Sequence, residues 1–333
     1  MSAQSESQEL LQPLTADQPC GENLEDTPLL ASFDAFRLFG QPTPLDPPPE
    51  WDLIRARATE ALSKSKDLRL LAHLGAARLR TDGLVAFSRT LCVAADWLET
   101  YWAASYPLVD EDAILRRNAL NCFADPMAVI DGLRRLPLVV SRQHGAFSIR
   151  DMDIATGQMQ PVDGEARPDE RRIDAAFAEM PLAHLQELQQ SVGEAIEAVR
   201  RIEATMSAEG GPEAVPGFDP LAVQLTKIDR VLRARVAART GGVVGLDDAG
   251  AIGGNGQPVA VGAITSRQDA IRALDAVAEF FRHNEPSSPI PLLIDRAKRL
   301  VSKSFLEVLA DLAPDALAQA RSVGGLSQDM SGE

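Results

Sequence analysis

The side chains able to do chemistry in this chain are few and scattered. The histidines are His73, His144, His184 and His283, and none has a Cys or carboxylate partner at metal-ligand spacing. His73 and His184 fall inside helical patterns, where a lone imidazole packs or faces solvent. Cys20, Cys92 and Cys122 are widely separated. An odd count without close pairs makes no disulfide framework, and a thiol in a helical stripe behaves as a small apolar side chain. There is no Gly-x-Ser-x-Gly elbow and no Cys/His pairing that suggests a nucleophile. The stretch "TGGVVGLDDAGAIGGNGQPVAVGA", 240–263, is the candidate phosphate cradle. It lacks the Lys-Ser/Thr that closes a Walker loop, and "GGNGQP" fails the dinucleotide spacing, so its composition reads as a linker. Asp247-Asp248 and Asp110-Glu111-Asp112 supply too few oxygen ligands for a cation. The second group is explained by capping and by the macrodipole at a helix start. The expectation is a protein with no catalytic residue, no metal and no cofactor.

What remains to be positioned is a set of helices. Prolines punctuate the first fifty residues, with a short helix fitting 29–39. Strong periodicity then begins: Trp51, Ile54, Ala58, Ala61 and Leu62 share one face, followed after a break by Leu68, Leu71, Ala72, Gly75 and Leu79. Gly83 precedes a third stripe, Leu84, Phe87, Leu91, Ala94, Ala95, Leu98 and Trp102. A fourth places Ile114, Leu115, Ala119, Leu120 and Phe123 inside. Helix pairs of this length suggest repeat-like packing, but the residues that mark a period of about 34 are missing. The helical spacing of Trp51, Trp97, Tyr101, Trp102 and Tyr106 suits core packing, with Tyr101 at an edge. Over 138–163 the period changes to short strand-like runs with a turn at Thr156-Gly157, predicting a small hairpin. Helix resumes near Asp169. From Pro181 to Met206, Leu185, Leu188, Val192, Ile196, Val199 and Ile202 make a short heptad-like seam. A further helix fits 219–239.

The chain has 333 residues, 45% of them hydrophobic, enough for two or three units with cores. Its net charge of −15 argues against nucleic acid or an anionic membrane as the main partner. The acids concentrate at the start, where 1–50 hold Glu6, Glu9, Asp17, Glu22, Glu25, Asp26, Asp34, Asp46 and Glu50 against Arg37 alone. That cluster reads either as a solvated segment or as an acidic docking surface. The first residues have neither a basic nor an apolar signal region, and no run reaches the ~20 apolar residues that span a bilayer. A cytoplasmic protein without direct membrane insertion is expected.

The least ordinary segment is "HNEPSSPIPLLIDRAKRLVSKSFLEVL", 283–309. Pro286 and Pro289 push the residues before them toward extended backbone, and Pro291 suits the first turn of a new helix. The result is a stiff corner between two amphipathic helices, the first starting at Ser266. A unit as small as 266–321 is marginal alone and needs disulfides, metal or self-association. Leu292, Leu293 and Ile294 are adjacent, so one helix cannot bury all three on a single face. The reading is an oligomerisation module, against a small helical bundle that is monomeric or docked on the rest of the chain.

"EPSSPIPLLIDRAKRLVSKSFLEVLADLAPDAL", 285–317, resembles the C-terminal region of TssA proteins, baseplate-associated components of bacterial type VI secretion systems. The N-terminal part resembles the ImpA N-terminal domain that marks the same family. The matching pieces are "PCGENLEDTP" (19–28), "SKDLRLLAHLGAARLRTDG" (65–83), "WLETYW" (97–102) and "RRNALNCF" (116–123). The middle of the chain, 165–265, carries no matching motif. The resemblance implies a non-enzymatic assembly scaffold of the short form, whose C-terminal domains form a ring and whose N-terminal domains project from it. It implies a high-order, six-fold related homo-oligomer. The other partners it implies are baseplate, sheath, inner-tube and membrane-complex components, with the protein recruited to the apparatus at the inner membrane.

By that carry-over the ring interface falls on Pro286, Pro289, Pro291, Leu292, Leu293, Arg296, Leu300, Phe305 and Leu309. Glu22, Glu25, Asp26, Trp51 and Tyr101 are the candidate partner-binding residues. The alternative is a monomeric or dimeric helical adaptor that binds protein partners through its acidic N-terminal domain. The expected fold is mainly α. It comprises a helical N-terminal domain with a small hairpin (1–164), a middle helical segment (165–240), a Gly-rich linker (241–265), a helical oligomerisation domain (266–322) and a disordered tail (323–333).

Overall fold

The structure is a computed structural model that describes residues 3–109, 112–162, 164–240 and 290–300, with positions 274, 277 and 278. Contacts divide the chain into Met1–Leu246 and Asp247–Glu333. In the first, each stripe that recurs every three or four residues becomes a helix: α3 (Trp51–Leu62), α4 (Leu68–Thr81), α5 (Leu84–Thr100), α10 (Leu182–Gly210) and α11 (Asp219–Thr240). α3 lies along α4, α4 along α5, α5 along α10, and α10 along α11. Shorter helices fill in around them. These are α1 (Ala3–Leu11), α2 (Pro28–Ala31), α6 (Ile114–Asn121), α7 (Asp131–Arg135), α8 (Ile149–Ala155) and α9 (Glu170–Glu179). Strands β1 (Pro137–Ser141) and β2 (Gly145–Ser148) form a two-stranded antiparallel sheet that pairs Val139 with Phe147 and Ser141 with Gly145. The mainly α fold with a small hairpin is therefore as expected.

One core runs through the whole first unit. Ile54, Leu71, Phe87, Trp97, Phe123, Phe177, Val192, Ile202, Leu225 and Leu232 belong to the same buried cluster. Residues 165–240, whose packing the sequence leaves undecided, thus share a core with 1–164. The heptad-like seam of α10 is consumed inside the chain. Leu185, Val192, Val199 and Ile202 are buried, and so are Ser191, Ala195 and Ala198 beside them, because α5 and α11 both flank the helix.

Three local expectations are corrected. The helix expected over 29–39 is only α2 followed by a 3₁₀ turn at Asp34–Phe36, since Arg37 adopts a left-handed conformation (φ 47°) and ends it. The hairpin turns at 142–144, and Thr156-Gly157 instead closes α8. That helix starts at a reciprocal capping box in which Ser148 accepts from Asp151 N and the Asp151 carboxylate accepts from Ser148 N. In α6 the inward face is Arg116, Ala119 and Leu120, while Leu115 is 60% exposed. The Arg116 guanidinium donates to the carbonyls of Trp102, Ser105 and Pro107, which fixes that rotation.

In the second unit, α12 (Ile290–Leu300) is described, and Leu274, Val277 and Ala278 are helical. Its start at Ile290 puts Pro291 in the first turn, where its missing N–H is harmless. Of the helix expected from Ser266 only those three positions are described, and the Gly-rich linker and the tail at 323–333 lie outside the described residues.

Candidate interaction surfaces

The conspicuous motifs of the N-terminal half converge on one buried knot. The Cys20 carbonyl accepts from Lys66 N at 2.8 Å and the Lys64 carbonyl from Glu22 N at 2.9 Å, which pins the loop 19–28 to the turn between α3 and α4. Gly21 between them has φ +73°, and a Cβ there would stand 2.0 Å from the Lys64 carbonyl oxygen. No other residue fits. Asp67 caps α4 by accepting from Arg69 N at 2.8 Å, and the Arg69 guanidinium bridges Asp67 and Glu25 at 2.7 Å each. Lys66 reaches the other way. Its ammonium donates to the Leu10 carbonyl at the end of α1 and sits 5.0 Å from the Trp97 ring centre and 5.6 Å from that of Tyr101. Trp97 Nε1 donates to the same carbonyl at 2.9 Å, and the Tyr101 hydroxyl donates to the Leu11 carbonyl at 3.4 Å. Arg116 closes the knot against the Trp102 face, 4.6 Å from the ring centre.

Burial governs the ionisable groups here. It pulls the Lys66 ammonium down to about 8 and the Arg116 guanidinium down to about 10. It pushes the Cys20 thiol up, with Lys66 and Arg116 opposing. Cys92 rises to about 11 by burial and the nearby Glu194, and Cys122 to about 12 by burial and Asp125. None of the three is an activated thiol. Burial also lowers the His73 imidazole, which is wedged against Phe33 and Phe39. His144 faces Glu179 and His184 faces Glu187, each at 3.3 Å. Among the described residues no three His, Cys, Asp or Glu groups could hold a metal. The knot holds the fold together; Lys66 and Arg116 are its pieces that sequence reasoning missed, and the buried cap Asp125, outside the knot, was missed as well. Asp125 accepts from Gly40 N, Met127 N and Ala128 N. Its "D-P-M" sequence, an Asx cap before proline, was the available signal.

The five candidate partner-binding residues separate into two groups. Glu22, Glu25 and Asp26 are exposed on the loop ahead of α2, with Glu25 held by Arg69. Trp51 is half-buried with the Arg80 guanidinium 5.0 Å over its ring, and Tyr101 packs against the core. The acids therefore form a surface while the two aromatics serve the interior.

Of the candidate ring residues, α12 carries Pro291, Leu292, Leu293, Arg296 and Leu300. Ile294 is buried, whereas Leu292 is 73% and Leu293 59% exposed. Asp295 and Lys298 pair along the helix at 3.7 Å, and Arg296 is exposed. The single chain thus leaves two adjacent leucines in water. Pro286, Pro289, Phe305 and Leu309 lie outside the described residues.

A helical unit built around this knot is an ImpA-type N-terminal domain, and three comparisons agree. The family described as "ImpA, N-terminal, type VI secretion system" matches residues 11–125, which contain the knot apart from its anchor at Leu10. The type VI secretion system component TssA1 of Pseudomonas aeruginosa is 30% identical over 339 aligned residues, covering 95% of this chain and 97% of that protein. A solved structure is also similar: the N-terminal domain, including the conserved ImpA_N region, of the TssA component of the type VI secretion system from Burkholderia cenocepacia. It is 22% identical with a TM-score of 0.57, over 73% of this chain and 97% of that one, and it shows the fold. This chain belongs to the TssA family of type VI secretion system components. No helix among the described residues is long and apolar enough to cross a membrane.

Proposed function

We propose that this chain is a non-enzymatic assembly scaffold of the type VI secretion apparatus. In this reading its C-terminal unit closes into a six-fold related ring, and its N-terminal unit carries the contacts to baseplate, sheath, inner-tube and membrane-complex components from the cytoplasmic side. The observation that carries it is the exposed Leu292–Leu293 pair on a helix that also buries Ile294. Two large apolar side chains in water on one short helix call for a covering surface. A second copy offers the same surface in return, and a rotation that closes gives a ring. Family membership supports the setting.

The test is light scattering coupled to size exclusion, on the full chain, on a chain ending at Arg239, and on Leu293→Asp. A large discrete full-length oligomer is expected, with the truncated chain and the variant falling to a monomer or dimer, because a charge would enter the covered apolar face. A monomeric full-length chain would overturn the ring and favour an adaptor acting through the acidic loop of Glu22, Glu25 and Asp26. An unchanged oligomer in Leu293→Asp would move the interface off α12.

A further inference from the structure

α5 ends at Thr100, with Trp102 two residues beyond it, and α10, packed along α5, ends at Gly210. The last turns of α10 carry Ala204 and Ala208, one turn apart and both exposed. Their side chains are too short to fill the space beside Leu98 and Trp102, and a groove of ≈ 440 Å³ remains between the two helix ends. Its form is fixed at Gly210. A Cβ there would stand 2.7 Å from the Ala214 Cβ and 2.9 Å from the Ala113 Cβ, so α10 makes this close approach only with glycine.

Both charged side chains that line the groove, Glu99 and Glu209, are acids, and both are exposed. Glu99 shares Arg201 with Asp96, at 2.8 and 2.7 Å, so one guanidinium serves two carboxylates. Glu209 makes no ion pair among the described residues. It sits in the last turn of α10, which has no basic residue, at the end of the helix dipole that favours a cation. Two arginines of α6 come close, and both are engaged. Arg116 is fully buried and spends its donors on the carbonyls of Trp102, Ser105 and Pro107, while Arg117 donates to the Glu213 carbonyl. The groove therefore joins an apolar floor to a negative charge that nothing in the first unit answers.

We propose that this groove takes an arginine side chain from a basic segment of a partner protein. The apolar floor suits an aliphatic stem, which a free cation lacks, with Leu98, Trp102 and the two alanines against it. The planar guanidinium then meets the exposed carboxylates of Glu209 and Glu99, where its fork forms charge-assisted hydrogen bonds. The proposal rests on the reading of the first unit as the part that carries contacts to other components, and it gives the chemistry of one such contact. It needs no ring.

The probe is a fluorescein-labelled peptide, Gly-Ala-Arg-Leu-Ala-Arg-Ala-Gly, and its counterpart with neutral citrulline in place of Arg. Both are titrated into the full chain by anisotropy in about 0.15 M salt, and hydrogen exchange read by mass spectrometry maps the contact. The Arg peptide is expected to bind and to slow exchange in 98–105 and 204–211, and the citrulline peptide to bind at least tenfold more weakly. Glu209→Arg, at an exposed position where a cation suits the helix end, loses at least tenfold in affinity for the Arg peptide. Ala204→Phe fills the groove without changing its charge and weakens binding as well. Glu170→Arg on α9 makes the same charge change elsewhere and shifts affinity by less than about twofold. Leu293→Asp binds as tightly as the parent chain, which keeps this site separate from the ring. The proposal fails if the Arg peptide does not bind by about 1 mM, if citrulline serves equally, or if either Glu209→Arg or Ala204→Phe changes nothing. It also fails if Glu170→Arg costs as much as Glu209→Arg, if Leu293→Asp loses the peptide, or if protection falls on the acidic loop 22–26 instead.

Discussion

Lys66 is 1% exposed and still carries its ammonium, gripped by the Leu10 carbonyl and the rings of Trp97 and Tyr101. Burial brings it down from 10.5 to about 8. Between those values the unfolded chain holds a proton that the folded chain has released, so the Lys66 contribution makes stability rise with pH across that window. The neighbouring Cys20 works in the opposite sense. Its thiol is raised above 9.0, so its share of stability is present below that value and is lost at higher pH. The raised Cys92 and Cys122 thiols pull the same way as Cys20, so Lys66 is read as a difference: from pH 7 to 10.5 the denaturant midpoint of a Cys20→Ala chain is expected to gain on that of the same chain carrying Lys66→Met. A constant gap between the two chains across that range would remove Lys66 as a source of pH dependence. Neither role was readable in the sequence, where "SKD" is an ordinary helix approach. A buried lysine becomes sensible only once the end of α1, Trp97 of α5 and Tyr101 just beyond that helix are brought to it. Tyr101 and Trp51 mislead for the same reason, since the Leu11 carbonyl and Arg80 that engage them come from other helices.

At the level of elements, α8 shows how a short signal can outweigh a pattern. Ser148 and Asp151 cap each other's backbone N–H, and the helix that follows has only seven residues. Ser148→Ala removes one half of the box and is expected to cost about 1 kcal/mol. The check is faster hydrogen exchange confined to 149–155, with α4 and α5 unchanged. Exchange that speeds up throughout would mean the cap holds more than its own helix. Seven residues are too few to display a helical period, so the stretch reads as strand, and the hairpin turn is misplaced toward Thr156-Gly157. The long helices were legible because α3, α4, α5 and α10 repeat their apolar positions over several turns. The surface of Glu22, Glu25 and Asp26 was legible as charge.

At the scale of the molecule, the question is whether the first unit can be divided where the family motifs stop. The contacts between α5 and α10 argue that it cannot. Arg201 on α10 donates to Asp96 at 2.7 Å and to Glu99 at 2.8 Å, and Cys92 donates to the Glu194 carbonyl at 3.8 Å. These polar contacts flank an apolar seam in which Leu185, Val192, Val199 and Ile202 are buried. Exposing those four side chains forfeits on the order of 6–12 kcal/mol. Whole domains are stable by about 5–15 kcal/mol, so the loss is comparable to everything the unit has. A chain of residues 1–164 is therefore expected to lack a cooperative thermal transition and dispersed amide resonances, whereas 1–240 shows both. The middle helices would then be part of the N-terminal fold, even though the motifs that mark the family end at 125. A well-folded 1–164 would instead make α9, α10 and α11 an added layer on a self-sufficient ImpA-type core, and α5 would have to tolerate a bare face.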